Sequence, residues 1–157
     1  MYSHGNILLN TGNRYFFGIN RAKSYSHAKK FYELSSILKN SNASLNLGIL
    51  YMFGYGTIQD FNKAKSYFEP LANENNLLAI TSLGNLCIIS NKDYNKAKEY
   101  YEKAAKLNNS DALYNLGYLY HEGLGVAKDY SRSKYYFNKS SKLNNSFASF
   151  ALGNLYL

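Results

Sequence analysis

Small and apolar residues recur along the chain in a pattern that returns at regular intervals. The segment Ala43-Ser-Leu-Asn-Leu-Gly48-Ile-Leu-Tyr51 comes back with its alanine at Ala79, Ala112 and Ala148, and a degenerate copy starts at Ile7. The glycines of the five copies are 36, 36, 33 and 36 residues apart. Within the segment, the alanine, leucine, glycine and tyrosine stand at i, i+4, i+5 and i+8, which places them on one face of an α-helix.

A second pattern lies between these copies. The segment Asp60-Phe-Asn-Lys-Ala64-Lys-Ser-Tyr-Phe68 matches segments that begin at Ser24, Asp93 and Asp129. The small residue of each always precedes the first small residue of the next copy by 15 positions. The leading Asp or Ser is typical of a helix N-cap, and the small residue and the aromatic residue four positions later share a helical face. This pattern therefore predicts a second helix in each repeat.

The two patterns together predict an all-α chain in which first and second helices alternate. The first helices are expected at about 5–17, 43–53, 77–89, 110–122 and 146–157, and the second helices at about 25–39, 61–72, 94–106 and 130–142. Pro70 falls inside a second helix, which it is expected to kink or shorten.

Glycines mark the loop between the two helices of a repeat. Gly54-Tyr-Gly56 and Gly123-Leu-Gly125 stand there, and Gly18-Ile-Asn20 has the same place in the first copy. Glycine at this point predicts a helix that ends in the left-handed conformation, after which the chain reverses. The third copy has Ser90-Asn-Lys instead and is three residues shorter.

The combined pattern of Ala-x3-Leu-Gly-x2-Tyr, Gly-x-Gly and Asp-x2-Lys-Ala-x2-aromatic-aromatic resembles the Sel1-like repeat (SLR), a relative of the tetratricopeptide repeat. Its best copy covers residues 112–142. The resemblance implies a right-handed α-α superhelix, a solenoid of about four helix-turn-helix repeats plus a terminal half repeat, which serves as a protein-interaction scaffold or adaptor. We expect one domain over 1–157, with repeats at about 5–42, 43–78, 79–111 and 112–147 and a half repeat at 148–157.

Composition excludes several classes of protein. The single cysteine, Cys87, cannot form a disulfide within the chain or a cysteine-based zinc site. No apolar run approaches the length of about 18 residues that a membrane span needs, and no signal peptide is evident. These features predict a cytoplasmic protein without direct membrane insertion. The net charge is +8, and residues 1–42 contribute a balance of +5, which indicates either an acidic partner or a solvated lysine-rich surface.

A partner is expected on the concave face, which the first helices line in a solenoid of helical pairs. Helical spacing places on that face a set of apolar, aromatic and amide residues, of which about half should serve as core. The predicted partner-binding residues are Ile49, Met52, Asn85, Tyr114, Tyr118, His121, Phe150 and Asn154, with Phe147 one helical step earlier in the last helix. Such a lining suits an extended peptide or a partner helix.

Other chemistry is not favoured by the sequence. No catalytic residue, cofactor or metal site is predicted, and the chain is expected not to be an enzyme. One alternative is a β-lactam-binding hydrolase activity, which cysteine-rich members of the family suggest; those proteins carry paired cysteines that this chain lacks. Another is nucleic-acid binding through residues 1–42, which is disfavoured because the lysines lie on second helices, away from the aromatic lining.

The half repeat at 148–157 predicts an end that is not covered by a second helix. Three explanations stay open: the chain is a fragment of a longer array, the end pairs with a second copy as a homodimer, or the end helix docks back on the fourth repeat.

Overall fold

The computed structural model of the chain describes residues 3–155, which form nine α-helices and no strand. The helices are α1 His4–Phe17, α2 Tyr25–Ile37, α3 Ser41–Phe53, α4 Phe61–Asn73, α5 Leu77–Asn91, α6 Tyr94–Ala105, α7 Ser110–Glu122, α8 Tyr130–Lys142 and α9 Ser146–Leu155. The predicted all-α fold of alternating first and second helices is confirmed. The final residues of the predicted half repeat, Tyr156 and Leu157, lie outside the described part of the chain.

Within each of two compact units, helices that follow each other in sequence contact each other in space. The chain separates into two compact units, Met1–Ala79 and Ile80–Leu157. In the first unit α1 contacts α2, α2 contacts α3 and α3 contacts α4; in the second, α6, α7, α8 and α9 follow the same rule. Each unit is therefore built from paired neighbouring helices. The expectation of one domain over the whole chain stays a prediction.

Polar side chains cap both sets of helices. Asp60, Asp93 and Asp129 accept a hydrogen bond from a backbone N–H three residues further on, as their N-cap role predicts. The first helices use asparagine in the same way: Asn40 and Asn109 accept from the backbone N–H groups of the alanines three residues later. Because Asn40 is the N-cap, α3 begins two residues earlier than expected, whereas α7, capped by Asn109, begins at the expected position.

The glycines after the first helices adopt the predicted left-handed conformation. Gly18, Gly54 and Gly123 follow α1, α3 and α7 with φ of 74°, 72° and 71°. Each donates its backbone N–H to the carbonyl four residues earlier, which ends the helix and turns the chain.

Pro70 does not shorten its helix. The second helix α4 has 13 residues, the same length as α2 and α8, and continues past Pro70 to Asn73. Of the two expected effects, shortening does not occur, and a kink at Pro70 stays a prediction. Pro70 lies exposed in the last turn, where most of the preceding hydrogen-bond ladder is already complete.

An aromatic ring of each second helix packs directly on the glycine of its own first helix. The pairs are Gly12 with Tyr32, Gly48 with Phe68, Gly84 with Tyr101, and Gly117 with Phe137. A methyl group added at Gly12 or Gly117 would lie 2.6 Å from ring carbons, well inside van der Waals contact. All four rings are at most 2% exposed. Glycine is thus needed at this position because a ring fills the space where a side chain would be.

Two of these rings carry hydroxyl groups that are hydrogen-bonded inside the protein. Tyr32 donates to Asn13 Oδ1 over 2.8 Å, and Tyr101 donates to Asn85 Oδ1 over 2.6 Å. Burial raises the pKa of Tyr32 to about 12 and also raises the pKa of Tyr101. Both hydroxyl groups therefore stay protonated and act as donors at neutral pH.

Ser133 stands where the other second helices have the fully buried alanines Ala28, Ala64 and Ala97. Its hydroxyl is buried and has no hydrogen-bond partner among the described residues. Because a buried hydroxyl without a partner is costly and alanine is the better helix former, Ser133→Ala is expected to raise the free energy of unfolding by about 1–3 kcal/mol. Urea denaturation followed by circular dichroism measures the change.

Ser140 provides the control, because it is equally buried and its Oγ donates to the carbonyl of Ser110 over 2.7 Å. Ser140→Ala removes that bond and leaves the carbonyl unpaired, so it is expected to lower stability by about 1 kcal/mol. A loss of stability in Ser133→Ala would contradict the interpretation.

Candidate partner-binding site

Five of the predicted contact residues meet around one pocket in the second unit. The pocket has a volume of about 210 Å³ and lies between α7, α8 and α9. Its lining residues are Tyr114, Tyr118, His121, Glu122, Phe137, Phe147, Phe150, Ala151 and Asn154. Tyr114 and Phe150 are 36 positions apart in the sequence and occupy equivalent places in successive first helices. The repeat therefore brings them side by side.

The base of the pocket is aromatic. The ring of Tyr114 is half-buried, 5.6 Å from the ring of Phe137 and 6.0 Å from that of Phe147, measured between centroids. Phe137 is 2% exposed and belongs to the core. The buried ring of Phe137 supports the half-buried ring of Tyr114, so this part of the lining is in place before a partner protein binds.

The rim offers large apolar surfaces to solvent. Phe147 and Phe150 are 68% and 72% exposed, and Tyr118 is 46% exposed. Aromatic side chains of this kind lose little conformational entropy when they are buried by a partner. The two phenylalanines on α9 and the tyrosine on α7 thus form an apolar surface with a polar tip at Tyr118.

Polar groups also line the pocket. His121 Nδ1 is 2.7 Å from Glu122 Oε1, a contact that becomes an ion pair when the imidazole is protonated. The ring of His121 also meets Tyr130 edge to face, with centroids 5.4 Å apart. These contacts orient His121 and place a carboxylate beside the pocket, where it can receive a donor from a partner.

Three predicted residues do not join the pocket. Met52 is only 3% exposed, and Ile49 is half-buried. The amide oxygen of Asn85 accepts from Tyr101 and, over 3.3 Å, from Asn115 Nδ2. Met52 therefore packs in the core, and the amide of Asn85 is hydrogen-bonded inside the protein, so neither side chain is available to a partner.

The pocket is also lined by Phe137, Glu122 and Ala151, which the helical spacing in the sequence did not indicate. Phe137 lies four residues after Ser133, a spacing that predicts a core aromatic residue. It is part of the core and also forms the base of the pocket. Glu122 is the last residue of α7, and nothing in the periodic pattern distinguishes it from a charged residue at a solvent-exposed helix end. Ala151 lies on α9 between the two phenylalanine positions and Asn154, where a small residue leaves the pocket open.

Basic side chains were expected to lie away from the aromatic ones. This expectation is wrong at Tyr51 and Tyr120, the tyrosines of the first-helix pattern. Lys63 Nζ lies 4.4 Å from the centre of the Tyr51 ring, and Arg132 Nη1 donates to the Tyr120 hydroxyl over 3.2 Å. Burial alone would raise the pKa of Tyr51, but the ammonium groups of Lys63 and Lys29 beside its hydroxyl lower it. Both rings are at most 6% exposed, so neither presents a face on which a base could stack.

Within residues 3–155, no group of three or more His, Cys, Asp and Glu side chains is placed to hold a metal ion. The helices described here include none that is both long and apolar enough to cross a membrane.

A family model described as Sel1 repeat matches residues 8–40, 41–76, 89–109 and 110–145. The third match omits most of α5, where the motif has Cys87 in place of tyrosine and the glycine loop is missing. None of the curated proteins compared with the sequence gives a significant match.

Several solved structures are similar over nearly the whole chain. The crystal structure of a Sel1 repeat protein from Oxalobacter formigenes has 28% identity and a TM-score of 0.80, and the match covers 98% of this chain and 64% of that protein. The structure of c5321, described as a protective antigen present in uropathogenic Escherichia coli strains and displaying an SLR fold, has 25% identity, covers 97% and 41%, and has a TM-score of 0.66.

A Sel1 repeat protein from Klebsiella pneumoniae subsp. pneumoniae matches with 15% identity and a TM-score of 0.66, over 98% of this chain and 78% of that one, and shows the fold alone. This chain spans less than two thirds of the length of the Oxalobacter formigenes and Escherichia coli proteins.

Proposed function

The chain belongs to the Sel1 repeat family, and from this premise we propose that it is a scaffold that binds a partner peptide or helix in the pocket between α7 and α9. Proteins of this family generally serve protein–protein interaction and are not enzymes. The proposed contact residues are Tyr114, Tyr118, His121, Phe150 and Asn154, with Phe147 beside them.

The observation that carries the proposal is the exposure of Phe147 and Phe150 beside a preformed pocket. Two phenylalanine side chains that are 68% and 72% exposed on one helix leave a large apolar area in water. A partner that covers them gains the free energy of removing that area from water, and the rings already stand in place. A partner side chain of leucine or phenylalanine size suits the volume of about 210 Å³ between them.

The polar side chains of the pocket favour a partner that carries a hydrogen-bond donor close to its apolar residues. The carboxylate of Glu122 lies beside His121, and Asn154 supplies an amide to the lining of the same pocket. An amide can pair with the free backbone groups of an extended peptide or of a helix end. The partner is therefore expected to insert one or two apolar side chains and to direct a backbone N–H or a cation toward Glu122.

Two substitutions test the pocket. Peptides selected from a displayed random library for binding to the wild-type chain are expected to lose at least about tenfold in affinity toward Tyr118→Ala or Phe150→Ala, because truncation of a central aromatic contact costs about 2 kcal/mol or more. Fluorescence anisotropy with labelled peptides measures the affinities.

Tyr135→Ala is the matched control, because Tyr135 is 55% exposed on α8 and does not line the pocket. It is expected to leave the affinities unchanged, and circular dichroism checks that all three variants fold. Selected peptides that bind both pocket variants as tightly as the wild-type chain would refute the proposed site.

The hydrolase and nucleic-acid alternatives each have a direct test. Turnover of a chromogenic β-lactam by the purified chain would support the hydrolase. Strong, salt-dependent retention on heparin or RNA would support binding through residues 1–42. Neither result is expected for a protein-binding scaffold. Homodimerisation through α9 also stays a prediction, which analytical ultracentrifugation measures.

A further inference from the structure

Two further pockets lie between α6 and α8, the second helices of the third and fourth repeats. Their volumes are about 420 and 390 Å³. Lys98 lines the first and Glu102 the second, and these side chains form an ion pair of 2.7 Å on α6. Tyr120 and Tyr136, which also line one pocket each, stack with their ring centroids 5.7 Å apart. The two pockets are therefore the ends of one groove, the α6–α8 groove.

The α6–α8 groove is basic. The carboxylates in its lining are those of Glu102 and Asp129. Five cationic side chains line it as well: Lys98, Lys106, Lys128, Arg132 and Lys139. The resulting balance of +3 gives the groove a positive potential, which attracts an acidic ligand.

The repeat itself accounts for two of these five cations. Lys98 pairs with the glutamate four residues later, and Arg132 donates to the hydroxyl of the first-helix tyrosine. The equivalent cations of the first unit, Lys29 and Lys63, stand 69 positions earlier and make contacts of the same kind. These two positions therefore serve contacts that both units share.

The other three cations have no counterpart in the first unit. Uncharged residues stand at the equivalent positions there: Ile37, Gln59 and Pro70. Lys106, Lys128 and Lys139 are all exposed, and within residues 3–155 none of them forms an ion pair. Lys128 and Lys139 each lie over a tyrosine ring, a contact that leaves their N–H groups able to donate. The three lysines thus supply the whole excess of positive charge, and that charge is available to a ligand.

The geometry of the groove sets the spacing of the charges on its ligand. Arg132 and Lys139 are seven positions apart on α8, which separates them by about 10 Å along the helix axis. In the polyproline II conformation, side chains three positions apart point the same way and are about 9 Å apart. A peptide in this conformation can place one carboxylate at each end of the groove.

We propose that the α6–α8 groove binds an acidic segment of a partner protein in an extended, polyproline II-like conformation, with carboxylates three residues apart. One carboxylate meets Lys128 and Arg132 at the first end of the groove. The next meets Lys106 and Lys139 at the second end, where Tyr136 offers an apolar surface to the side chains between the carboxylates.

This groove is independent of the pocket between α7 and α9. Its walls, which are α6, α8 and the residues around Lys128, all lie inside the second unit. Among the described residues, none lines both this groove and that pocket. Tyr118→Ala, which tests the pocket, is therefore expected to leave binding in the groove unchanged.

The probe is a labelled peptide of sequence Asp-Ala-Leu-Asp-Ala-Leu-Asp, with both ends blocked. A peptide of the same composition, Ala-Leu-Asp-Asp-Asp-Leu-Ala, tests the spacing of the carboxylates, and a third with asparagine at each aspartate tests their charge. Fluorescence anisotropy with the full chain measures the affinities. The probe is expected to bind saturably, at least about threefold tighter than the second peptide and at least about tenfold tighter than the third.

Two variants of the chain locate the binding. The groove variant combines three substitutions: Lys106→Gln, Lys128→Gln and Lys139→Gln. It is expected to weaken binding of the probe at least about tenfold. The control variant removes the same charge from exposed lysines of the first unit: Lys30→Gln, Lys39→Gln and Lys65→Gln. It is expected to change the affinity less than about twofold, and circular dichroism checks that both variants fold.

Several outcomes would overturn the proposal. Absence of saturable binding, or equal affinity for all three peptides, would do so. Equal losses in the groove variant and the control variant would show that only the net charge matters. An oligouridine RNA that binds more tightly than the probe and loses its affinity in the groove variant would assign the groove to nucleic acid. Loss of probe binding confined to the groove variant, with Tyr118→Ala unchanged, supports the proposal.

Discussion

Replacing Phe68 by alanine is expected to lower the free energy of unfolding by about 3–5 kcal/mol. The ring is fully buried and packs on Gly48, which has no side chain with which to fill the space that the ring leaves. Neighbouring residues cannot close the cavity, because the helices that carry them are held by their own contacts on either side. Urea denaturation followed by circular dichroism measures the change.

Phe53→Ala is the control, because Phe53 is 45% exposed and its loss opens no enclosed cavity. Its expected cost is below about 1.5 kcal/mol, in line with the partial burial of the ring. A similar loss for Phe53→Ala and Phe68→Ala would contradict the role given to the contact between Phe68 and Gly48.

The same contact predicts a change of sign for Gly48→Ala. In the wild-type chain the new methyl group overlaps the Phe68 ring, so the substitution is expected to destabilise the protein by about 1–3 kcal/mol. In the Phe68→Ala background the methyl group enters the empty space and alanine also favours the helix, so the same substitution should stabilise. A double-mutant cycle measures this coupling, and additive effects would refute it.

Replacing Gly56 by alanine is expected to lower the free energy of unfolding by about 2–5 kcal/mol. Gly56 has a φ of 66°, in the left-handed region where an alanine side chain is strained. A Cβ at this position would also lie 2.6 Å from the backbone nitrogen of Ser26 and 2.6 Å from the backbone carbon of Tyr25. Backbone atoms at the start of α2 cannot turn aside as a side chain can, so the loop between α3 and α4 has to shift.

Gly54→Ala separates the two causes. Gly54 has a φ of 72°, but the nearest atom to its Cβ position is 3.3 Å away. It therefore suffers the conformational strain without the severe overlap, and its expected cost is about 1–2 kcal/mol. Equal losses in the two variants, measured by thermal or urea unfolding, would show that the contact with the start of α2 contributes nothing.

The periodic pattern of small and aromatic residues was sufficient to locate the helices. The predicted second helix at 130–142 and first helix at 110–122 coincide with α8 and α7. Caps explain the success, because Asp129 and Gly123 terminate helices by local hydrogen bonds and local backbone conformation. Deviations of two residues occur at the start of α3, where the Asn40 cap was overlooked, at the end of α5, where the glycine loop is absent, and at the end of α2, which stops at Ile37 and not at residue 39.

The contact residues were predictable only in part. Helical spacing placed Tyr114 and Tyr118 on one face, and the repeat period placed Phe150 beside Tyr114, so the pocket could be anticipated. The burial of each side chain could not be predicted, because it depends on how the neighbouring helices pack against it. Met52 and Ile49 share a predicted face, yet Met52 is 3% exposed and Ile49 is half-buried.

The amino-acid sequence by itself determined the repeat length, the alternation of helices, the N-caps of the second helices and the glycines that end the first helices, because these depend on interactions between residues close together in the chain. Only the tertiary structure showed that Asn85 is engaged by Tyr101 and that Phe137 is the base of a pocket. These facts depend on which side chains of adjacent helices reach one another. Helical periodicity gives the direction of a side chain, and packing decides what it meets.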